Sequence, residues 1–268
     1  MPVVLTDPLA NNKTVILWDN HFERTANSYL NDSPTNPASN AITDSTFDFW
    51  QQLSTAGPTR MKKIGDVANL TANALGISGH NLGTTAGTIF LTYSEDDITY
   101  TNVVDPYSPL TDEDILFIFP QRTQLYWQLA FTSSGGGYIS NVKLGRRLDF
   151  PYTPIEGYRP THHSRKFTKY FNNSIEGHLL GNRVMSSGGT TTVEFPDLDR
   201  AFVDGPMRGF EDHYNRGRSF FYAGWPNGKP QDVAYAWADG EDAMIDVAYT
   251  NGSKRASVGF GMSIKYGR

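Results

Sequence analysis

The chain has 268 residues, with 23 Lys and Arg against 28 Asp and Glu, no cysteine, 25 Gly and 15 Pro. An aromatic content of 13% excludes a disordered chain, which lacks the apolar surface that offsets the entropy of ordering. The net charge of −5 argues against direct reading of nucleic acid, because binding phosphates requires Lys and Arg. Without cysteine, disulfides, thiolate metal sites and cysteine nucleophiles are excluded. No apolar run approaches the roughly 20 residues that cross a bilayer, so we expect no membrane insertion, and we find no targeting segment.

The charge divides the chain into two parts. Residues 1–150 hold 9 Lys and Arg against 15 Asp and Glu, a net charge of −6, whereas residues 151–268 hold 14 against 13, a net charge of +1. The change coincides with Pro151 and Pro154, which remove backbone donors and favour extended neighbours, as in a linker. We therefore predict two domains, 1–150 and 151–268, with a boundary near residues 150–160.

The first part shows short strands separated by turn residues. Strands are predicted at residues 14–18, 48–51, 62–66, 72–77, 87–94, 99–104, 115–119, 124–131 and 138–144. Residues 115–119 are continuously apolar, which is typical of a core strand. Residues 124–131 place Leu125, Trp127, Leu129 and Phe131 on one face. Many short strands at regular spacing predict a mainly β fold, with a jelly-roll β-sandwich in residues 1–150.

The second part adds one amphipathic helix to a β pattern. Apolar residues at three- and four-residue steps predict a helix over about 204–217, with Asp204 as N-cap and Pro206 in the first turn. Strands follow at residues 219–225 and 232–237. A last strand alternates, with Val258, Phe260, Met262 and Ile264 facing one way. The prediction for residues 151–268 is a β-sandwich domain carrying a single helix.

Metal sites are not favoured by the spacing of ligand-type residues. His162 and His163 would point to opposite faces of a strand, and with His178 they are better explained as polar surface residues. The acidic clusters at 95–97 and 112–114 could supply oxygen ligands for calcium, but neither has the spacing of a calcium loop. Solvated turns are the favoured interpretation. We predict no metal and no cofactor.

Catalytic signatures are also missing from the sequence. It has no G-x-S-x-G elbow, no S-x-x-K pair and no phosphate-binding loop. A glycosidase needs two carboxylates facing each other across a sugar, and nothing in the pattern selects such a pair. We predict no catalytic residues and a protein that is not an enzyme.

Aromatic residues are the remaining candidates for function, as sugar-stacking platforms or interface anchors. Trp50 and Trp127 lie within strand patterns and are predicted to be core residues. Trp225 precedes Pro226 and Gly228 and is the better surface candidate. With Tyr222 and Trp237 it forms our set of candidate interface anchors.

Several strings resemble a known family. They are PASNAITD (37–44), FW (49–50), ALGISGHNLG (74–83), LTYSEDD (91–97), YWQL (126–129) and YISNVKLG (138–145). Over residues 35–148 the chain resembles the discoidin-type, galactose-binding-like jelly roll as it occurs in structural proteins of tailed bacteriophages. The strings GNR (181–183), FFYAGW (220–225) and AYAW (234–237) are similar to the β-sandwich-plus-helix ring domain of tail-tube and distal-tail proteins.

This resemblance implies a structural virion protein of the tail tip or baseplate, made in the host cytoplasm. It implies a subunit that self-associates in a ring, with a hexamer as the family expectation, and other phage tail proteins as partners. Two alternatives stay open. One is a carbohydrate-binding module that recognises host surface glycan through the jelly roll, and the other is a polysaccharide-degrading enzyme.

Overall fold

A computed structural model describes residues 3–7, 13–23, 27–30, 32–64, 70–154, 159–250, 252 and 254–265. These residues form eighteen strands and two α-helices. In chain order the first strands are β1 (Val3–Leu5), β2 (Val15–Leu17), β3 (Asn27–Leu30), β4 (Trp50–Gln51), β5 (Thr59–Ile64), β6 (Leu70–His80), β7 (Thr88–Ser94), β8 (Thr101–Asn102), β9 (Ile115–Gln124), β10 (Tyr126–Thr132), β11 (Tyr138–Gly145) and β12 (Arg147–Asp149). The others are β13 (Arg165–Asn173), β14 (Leu179–Asp199), β15 (Phe220–Ala223), β16 (Val233–Ala238), β17 (Asp246–Thr250) and β18 (Arg255–Lys265), with α1 (Arg200–Asp204) and α2 (Arg208–Asn215) between β14 and β15.

The strands form three sheets. The front sheet has the order β3-β5-β10-β7-β8, and the middle sheet has the order β1-β9-β6-β11-β4. The C-terminal sheet has the order β12-β2-β15-β16-β18-β14-β13, with β17 also paired to β18. The predicted mainly β fold is confirmed, and each predicted strand coincides with a strand of the structure. Several are shorter than predicted: 14–18 reduces to β2, 48–51 to β4, 99–104 to β8 and 219–225 to β15. Residues 65 and 66 lie outside the described residues.

The middle sheet is covered on both faces. Alternate residues such as Leu75 and Phe117 pack against the front sheet in one core, which also holds Trp50 and Trp127. The residues between them, such as Leu116, point to the opposite face of the middle sheet and pack in a second core against the C-terminal sheet. This explains why residues 115–119 are apolar without alternation: a strand buried on both faces has no polar side.

The C-terminal sheet is covered on its other face by the two helices. Val258, Phe260, Met262 and Ile264 all point into this third core, as the alternation predicts. Phe210 and Tyr214 of α2 pack there too. The molecule is therefore four layers deep: front sheet, middle sheet, C-terminal sheet and helices.

The predicted single helix over 204–217 is wrong in its first turn. The carboxylate of Asp199, not of Asp204, accepts a hydrogen bond from Ala201 N at 2.8 Å and caps α1. Because this start lies earlier, Pro206 falls where a continuous helix would need an interior backbone donor, so the chain turns at 205–207 before α2 begins. Gly217, with φ of 68°, follows the end of α2 as predicted.

The predicted boundary near residue 150 coincides only in part with the division of the strands between the sheets. Two strands from residues 1–150, β2 and β12, belong to the C-terminal sheet. β2 pairs with β15, so the chain enters the C-terminal sheet before it builds the sandwich, and returns to it through β12. The described residues around Pro151 and Pro154 have no regular structure, and 155–158 lie outside the described residues. The two-domain division itself stays a prediction.

Close contact between the middle and C-terminal sheets requires a glycine. A Cβ built on Gly76 of β6 would lie 2.3 Å from Cδ2 of Phe221 in β15. Gly76 therefore makes room for the phenyl ring that fills the second core.

We expect Gly76→Ala to lower the free energy of unfolding by about 1–3 kcal/mol, because the added methyl overpacks the ring of Phe221. Urea unfolding monitored by far-UV circular dichroism measures the change. Gly135→Ala is the matched control, since no atom lies within 4 Å of the Cβ it would add. Equal unfolding midpoints for the two variants would contradict the tight contact between the sheets.

Candidate functional site

The inner face of the C-terminal sheet extends past the edge of the sandwich. Residues that pair across adjacent strands point to the same face. The pairings Tyr235↔Lys265 and Trp237↔Ser263 put these four side chains on the face directed at the middle sheet. Tyr235 is buried beneath the middle sheet, whereas Trp237 is only half-buried. The sandwich therefore covers one end of this face and leaves the other end open.

The open end forms a groove of about 420 Å³, the Trp237 groove. Its lining residues are Lys166, Thr168, Ser187, Gly188, Gly189, Thr190, Trp237, Ser263, Ile264 and Lys265. Hydroxyl groups, an indole and two lysines thus surround one concave surface. Ser263 Oγ donates to the carboxylate of Asp239 at 2.7 Å.

A second cleft of about 430 Å³ adjoins the first and shares Lys265 with it. Its lining residues are Asn36, Thr46, Phe47, Asp48, Phe49 and Lys265. The phenyl ring of Phe47 is 80% exposed. Phe49 packs on Tyr138 with ring centroids 5.2 Å apart. Lys265 Nζ donates to the backbone oxygen of Thr46 at 2.6 Å, and so joins the two clefts into one surface.

The loop over residues 43–49, which carries the Phe47 cleft, is fixed by buried polar contacts. Asn141 Nδ2 donates to the backbone oxygens of Thr43 at 3.0 Å and Ser45 at 2.8 Å. Asp44 takes part in an ion cluster with Lys143, which is 3.1 Å away and almost wholly buried. The cluster also contains Glu23, 3.2 Å from Lys143, and Arg218, which contacts both carboxylates.

The ion cluster determines the protonation of Asp44. Burial alone would raise the pKa of this carboxyl, but the charge of Lys143, the hydroxyl of Ser219 and Arg218 outweigh burial and lower the pKa to about 2. Asp44 is thus ionised at neutral pH. It links the middle sheet, through Lys143, to the start of β15, through Arg218 and Ser219.

The predicted anchor residues have three different positions. Trp237 lies in the groove. Trp225 is 40% exposed in the turn after β15, and its ring packs on Gly228, where a Cβ would lie 2.2 Å from it. Tyr222 is wholly buried in the core beneath the helices, because β15 points it away from the sandwich. Tyr222 is therefore not an interface anchor of this fold.

The acidic and histidine clusters mostly form turns. Asp96 accepts hydrogen bonds from Ile98 N at 2.9 Å and Thr99 N at 2.8 Å, which confirms one predicted turn. Asp114 is an exception to the predicted solvated turn, because it is buried and accepts from Ser78 Oγ at 2.6 Å and Tyr235 N at 2.8 Å. Burial raises its pKa to about 6.

His163 and His178 are exposed. His163 lies in a 3-10 turn rather than on a strand. Across the described ranges, no three His, Asp or Glu side chains are grouped so that they could hold a metal ion. Among the same residues, no helix is long and apolar enough to cross a membrane.

Sequence reasoning selected Trp237 but missed most of its surroundings. Ser263 and Lys265 had a usable signal, since they occupy the polar positions of the alternating strand β18. Phe47 gave none, because it lies in an irregular loop that reaches the groove only through tertiary contacts, and Phe49 was predicted only as part of the strand at 48–51.

No protein-family model matches this chain, and no curated protein sequence matches it. Solved structures do. Chitosan-binding module 1 from a chitosanase/glucanase of Paenibacillus sp. IK-5 is 18% identical, with a TM-score of 0.37, covering 47% of this chain and 97% of the module. The Clostridium perfringens module CpGH89CBM32-5, in complex with GalNAc-β-1,3-galactose, is 11% identical, with a TM-score of 0.38, covering 44% and 93%. A Ruminococcus gnavus GH29 fucosidase is 12% identical, with a TM-score of 0.41, covering 48% of this chain and 27% of the enzyme. At these scores the likeness carries no argument about this chain, and function has to be derived from the groove.

The ion cluster predicts a pH-dependent contribution to stability. The pKa of Asp44 is lower in the folded protein than in the unfolded chain, so its contribution is present above about pH 4 and is lost as the pH falls towards 2. We expect Asp44→Asn to lower the urea midpoint at pH 6, with a difference from wild type that narrows between pH 4 and pH 2.

Asp48→Asn is the matched control, because Asp48 is exposed on the same loop. A difference between Asp44→Asn and wild type that stays constant down to pH 2 would contradict the role assigned to the ion cluster.

Proposed function

We propose that this protein is a non-catalytic glycan-binding protein whose ligand lies in the Trp237 groove. The observation that carries the proposal is the composition of that groove: a half-buried indole on its floor, with hydroxyl groups and lysines around it. An indole face packs against the apolar C–H face of a sugar ring. Hydroxyls and ammonium groups then satisfy the hydroxyls around the ring edge.

The adjoining Phe47 cleft makes the surface long enough for more than one sugar. Phe47 offers a second exposed ring, and Asn36 and Asp48 offer polar groups beside it. Because Lys265 lines both clefts, the Trp237 groove and the Phe47 cleft adjoin along one surface. An oligosaccharide therefore suits the surface better than a single sugar.

A glycan array probed with the full chain, followed by calorimetric titration of the best ligands, tests the proposal. We expect Trp237→Ala to weaken binding about tenfold or more, because the stacking platform is lost. Trp225→Ala is the matched control, a partly exposed tryptophan outside the groove, and should bind as wild type does.

Trp237→Phe separates binding from folding, because it keeps an aromatic ring in the sheet and should retain part of the affinity. If the wild-type protein binds none of the neutral and acidic bacterial polysaccharides tested, the proposal is overturned.

The second function is the phage-tail ring subunit that the resemblance implies; it needs a surface for self-association, and the hairpin of β13 and the first part of β14 offers one. All nine residues of β13 are exposed. The hairpin also exposes eight large apolar side chains: Phe167, Tyr170, Phe171, Ile175, Leu179, Leu180, Val184 and Met185. A two-stranded ribbon is marginal alone in water, so exposed apolar residues on one suit a docking element.

For this second function we propose that the hairpin docks on another copy of the same chain. Residues 165–185 carry Arg165, Lys166, Lys169 and Arg183 against Glu176, a net charge of +3. A separate cleft of about 600 Å³ beside the helices is lined by Asp204, Glu211, Asp212 and Arg208, with Val203, Val247 and Tyr249. A basic hairpin in the acidic cleft of the next copy is a head-to-tail contact, which forms a ring when the rotation between copies closes and a filament when it does not. Six copies and a position in the virion are what the resemblance implies.

Light scattering after size exclusion tests this assembly. We expect Lys169→Glu with Arg183→Glu to release monomers, because like charges would then meet across the contact. Glu211→Lys with Asp212→Lys, combined with the hairpin pair, should restore the assembly. A wild-type chain that is monomeric at every concentration would overturn the second function and leave glycan binding untouched.

A further inference from the structure

The carboxylate of Asp239 lies on the same sheet face as the indole of Trp237. Asp239 follows β16 directly, two residues after Trp237. Phe260 and Met262 point into the third core, so Gly261 between them faces the inner side of the C-terminal sheet. A Cβ built on Gly261 would lie 3.4 Å from Cβ of Asp239. Asp239 is therefore on the inner face with Trp237, and two residues of extended chain separate their backbones by about 7 Å.

The two oxygens of this carboxylate have different surroundings. Oδ1 accepts the hydrogen bond from Ser263 Oγ at 2.7 Å, which fixes the orientation of the carboxylate. Ser263 lines the groove and pairs with Trp237, so this contact connects Asp239 to the groove. Oδ2 lies 3.9 Å from the position that a Cβ on Gly261 would take. Among the described residues, Oδ2 accepts no hydrogen bond and the carboxylate forms no ion pair, so Oδ2 is available to a ligand.

Gly261 keeps the space beside Oδ2 open. Within the described part of the chain, the only atoms less than 4 Å from a Cβ at this position belong to Asp239. On the other side of Gly261, β14 pairs it with Thr192, which is exposed and points away from the core that holds Val193. Backbone alone therefore floors the sheet between the Asp239 carboxylate and the Thr192 hydroxyl.

The lysines of the groove are less well placed than Asp239 to read a ring that rests on the indole. Lys166 is on β13, three strands from Trp237, and three strand spacings are about 14 Å. The ammonium of Lys265 donates to the backbone oxygen of Thr46 at 2.6 Å, in the direction of the Phe47 cleft. Asp239 is therefore the charged residue that adjoins Trp237 along its own strand direction.

We infer that Asp239 makes the Trp237 groove selective for neutral sugars, with a ring hydroxyl donating to Oδ2 while the ring lies on the indole. This inference rests on the glycan-binding function proposed above and adds the class of sugar and the residue that selects it. An ionised carboxylate only accepts hydrogen bonds, and a bond to a charged acceptor is about twice as strong as a neutral one. The carboxylate of a uronic acid on the same ring would meet Asp239 as a like charge, which opposes binding.

Calorimetric titration of the full chain with matched pairs of sugars tests the class. Each pair is a neutral and a uronic trisaccharide of the same linkage: galactose with galacturonate, mannose with mannuronate, and glucose with glucuronate. We expect at least one neutral trisaccharide to bind and its uronic counterpart to bind about tenfold more weakly. The neutral affinity should change by less than about twofold between 50 and 500 mM salt, because no ion pair forms with the ligand.

Two substitutions of aspartate separate the role of Asp239 from general charge. In Asp239→Asn the amide oxygen keeps the bond from Ser263, so an amide nitrogen, which cannot accept, takes the place of Oδ2. This variant should bind the neutral trisaccharide about tenfold more weakly and bind the neutral and uronic members of a pair equally. Asp212→Asn removes the same charge from the cleft beside the helices, on the other side of the C-terminal sheet, and should bind as wild type does.

A third variant tests the open space beside Oδ2 without changing any charge. Gly261→Ala puts a methyl group 3.4 Å from Cβ of Asp239, an ordinary contact distance, so we expect the variant to unfold at the wild-type urea concentration. The methyl group occupies the space that the ring hydroxyl needs, so neutral binding should fall about tenfold. Wild-type affinity in Gly261→Ala would contradict the proposed position of the sugar.

The outcomes distinguish this inference from the function on which it rests. Glycan binding that is lost in Trp237→Ala but unchanged in Asp239→Asn would overturn the role of Asp239 and leave glycan binding in place. A uronic trisaccharide that binds as tightly as its neutral counterpart, or more tightly, would overturn the neutral class in the same way. Equal losses in Asp239→Asn and Asp212→Asn would overturn the inference by showing a general effect of charge. If no glycan binds, neutral or acidic, both the inference and the proposed function are overturned.

Discussion

The two covered faces of the middle sheet are the constraint on which the rest of this structure depends. A sheet with apolar residues on both faces needs two partner layers. The front sheet supplies one, and the C-terminal sheet supplies the other through Phe221, Val233 and Tyr235. Because β2 and β12 belong to the C-terminal sheet, the chain cannot build the sandwich without also placing this third layer. The two parts of the chain are consequently packed as one stack.

Beyond the apolar core, ion pairs also connect the middle sheet to the C-terminal sheet. The face of β11 that is directed at the C-terminal sheet carries Lys143, which would be costly to bury without partners. Glu23 and Asp44 are those partners, and Arg218 joins them from the chain segment before β15. Besides any contribution to stability, the cluster holds the loop over 43–49 against the C-terminal sheet. That loop brings Phe47 beside Lys265.

The groove is a consequence of incomplete overlap between layers. The C-terminal sheet is wider than the middle sheet that covers it, so the inner face changes from buried at Tyr235 to open at Trp237, two residues along one strand. The polar alternation of β18 continues through both regions. Beneath the sandwich it contributes to the interface, and beyond the edge the same pattern places Ser263 beside the half-buried indole of Trp237.

The sequence by itself determined the mainly β fold, most strand positions, the buried tryptophans Trp50 and Trp127, and the face of β18 that points into a core. These follow from local periodicity and turn chemistry, which act over a few residues. Only the tertiary structure decided that Tyr222 is buried while Trp237 lines a groove, although both lie on aromatic strands of similar composition. The physical reason is that exposure depends on which layer covers each face. The helices cover the face that carries Tyr222, whereas the middle sheet, which is distant in sequence from β16, covers the opposite face only as far as Tyr235.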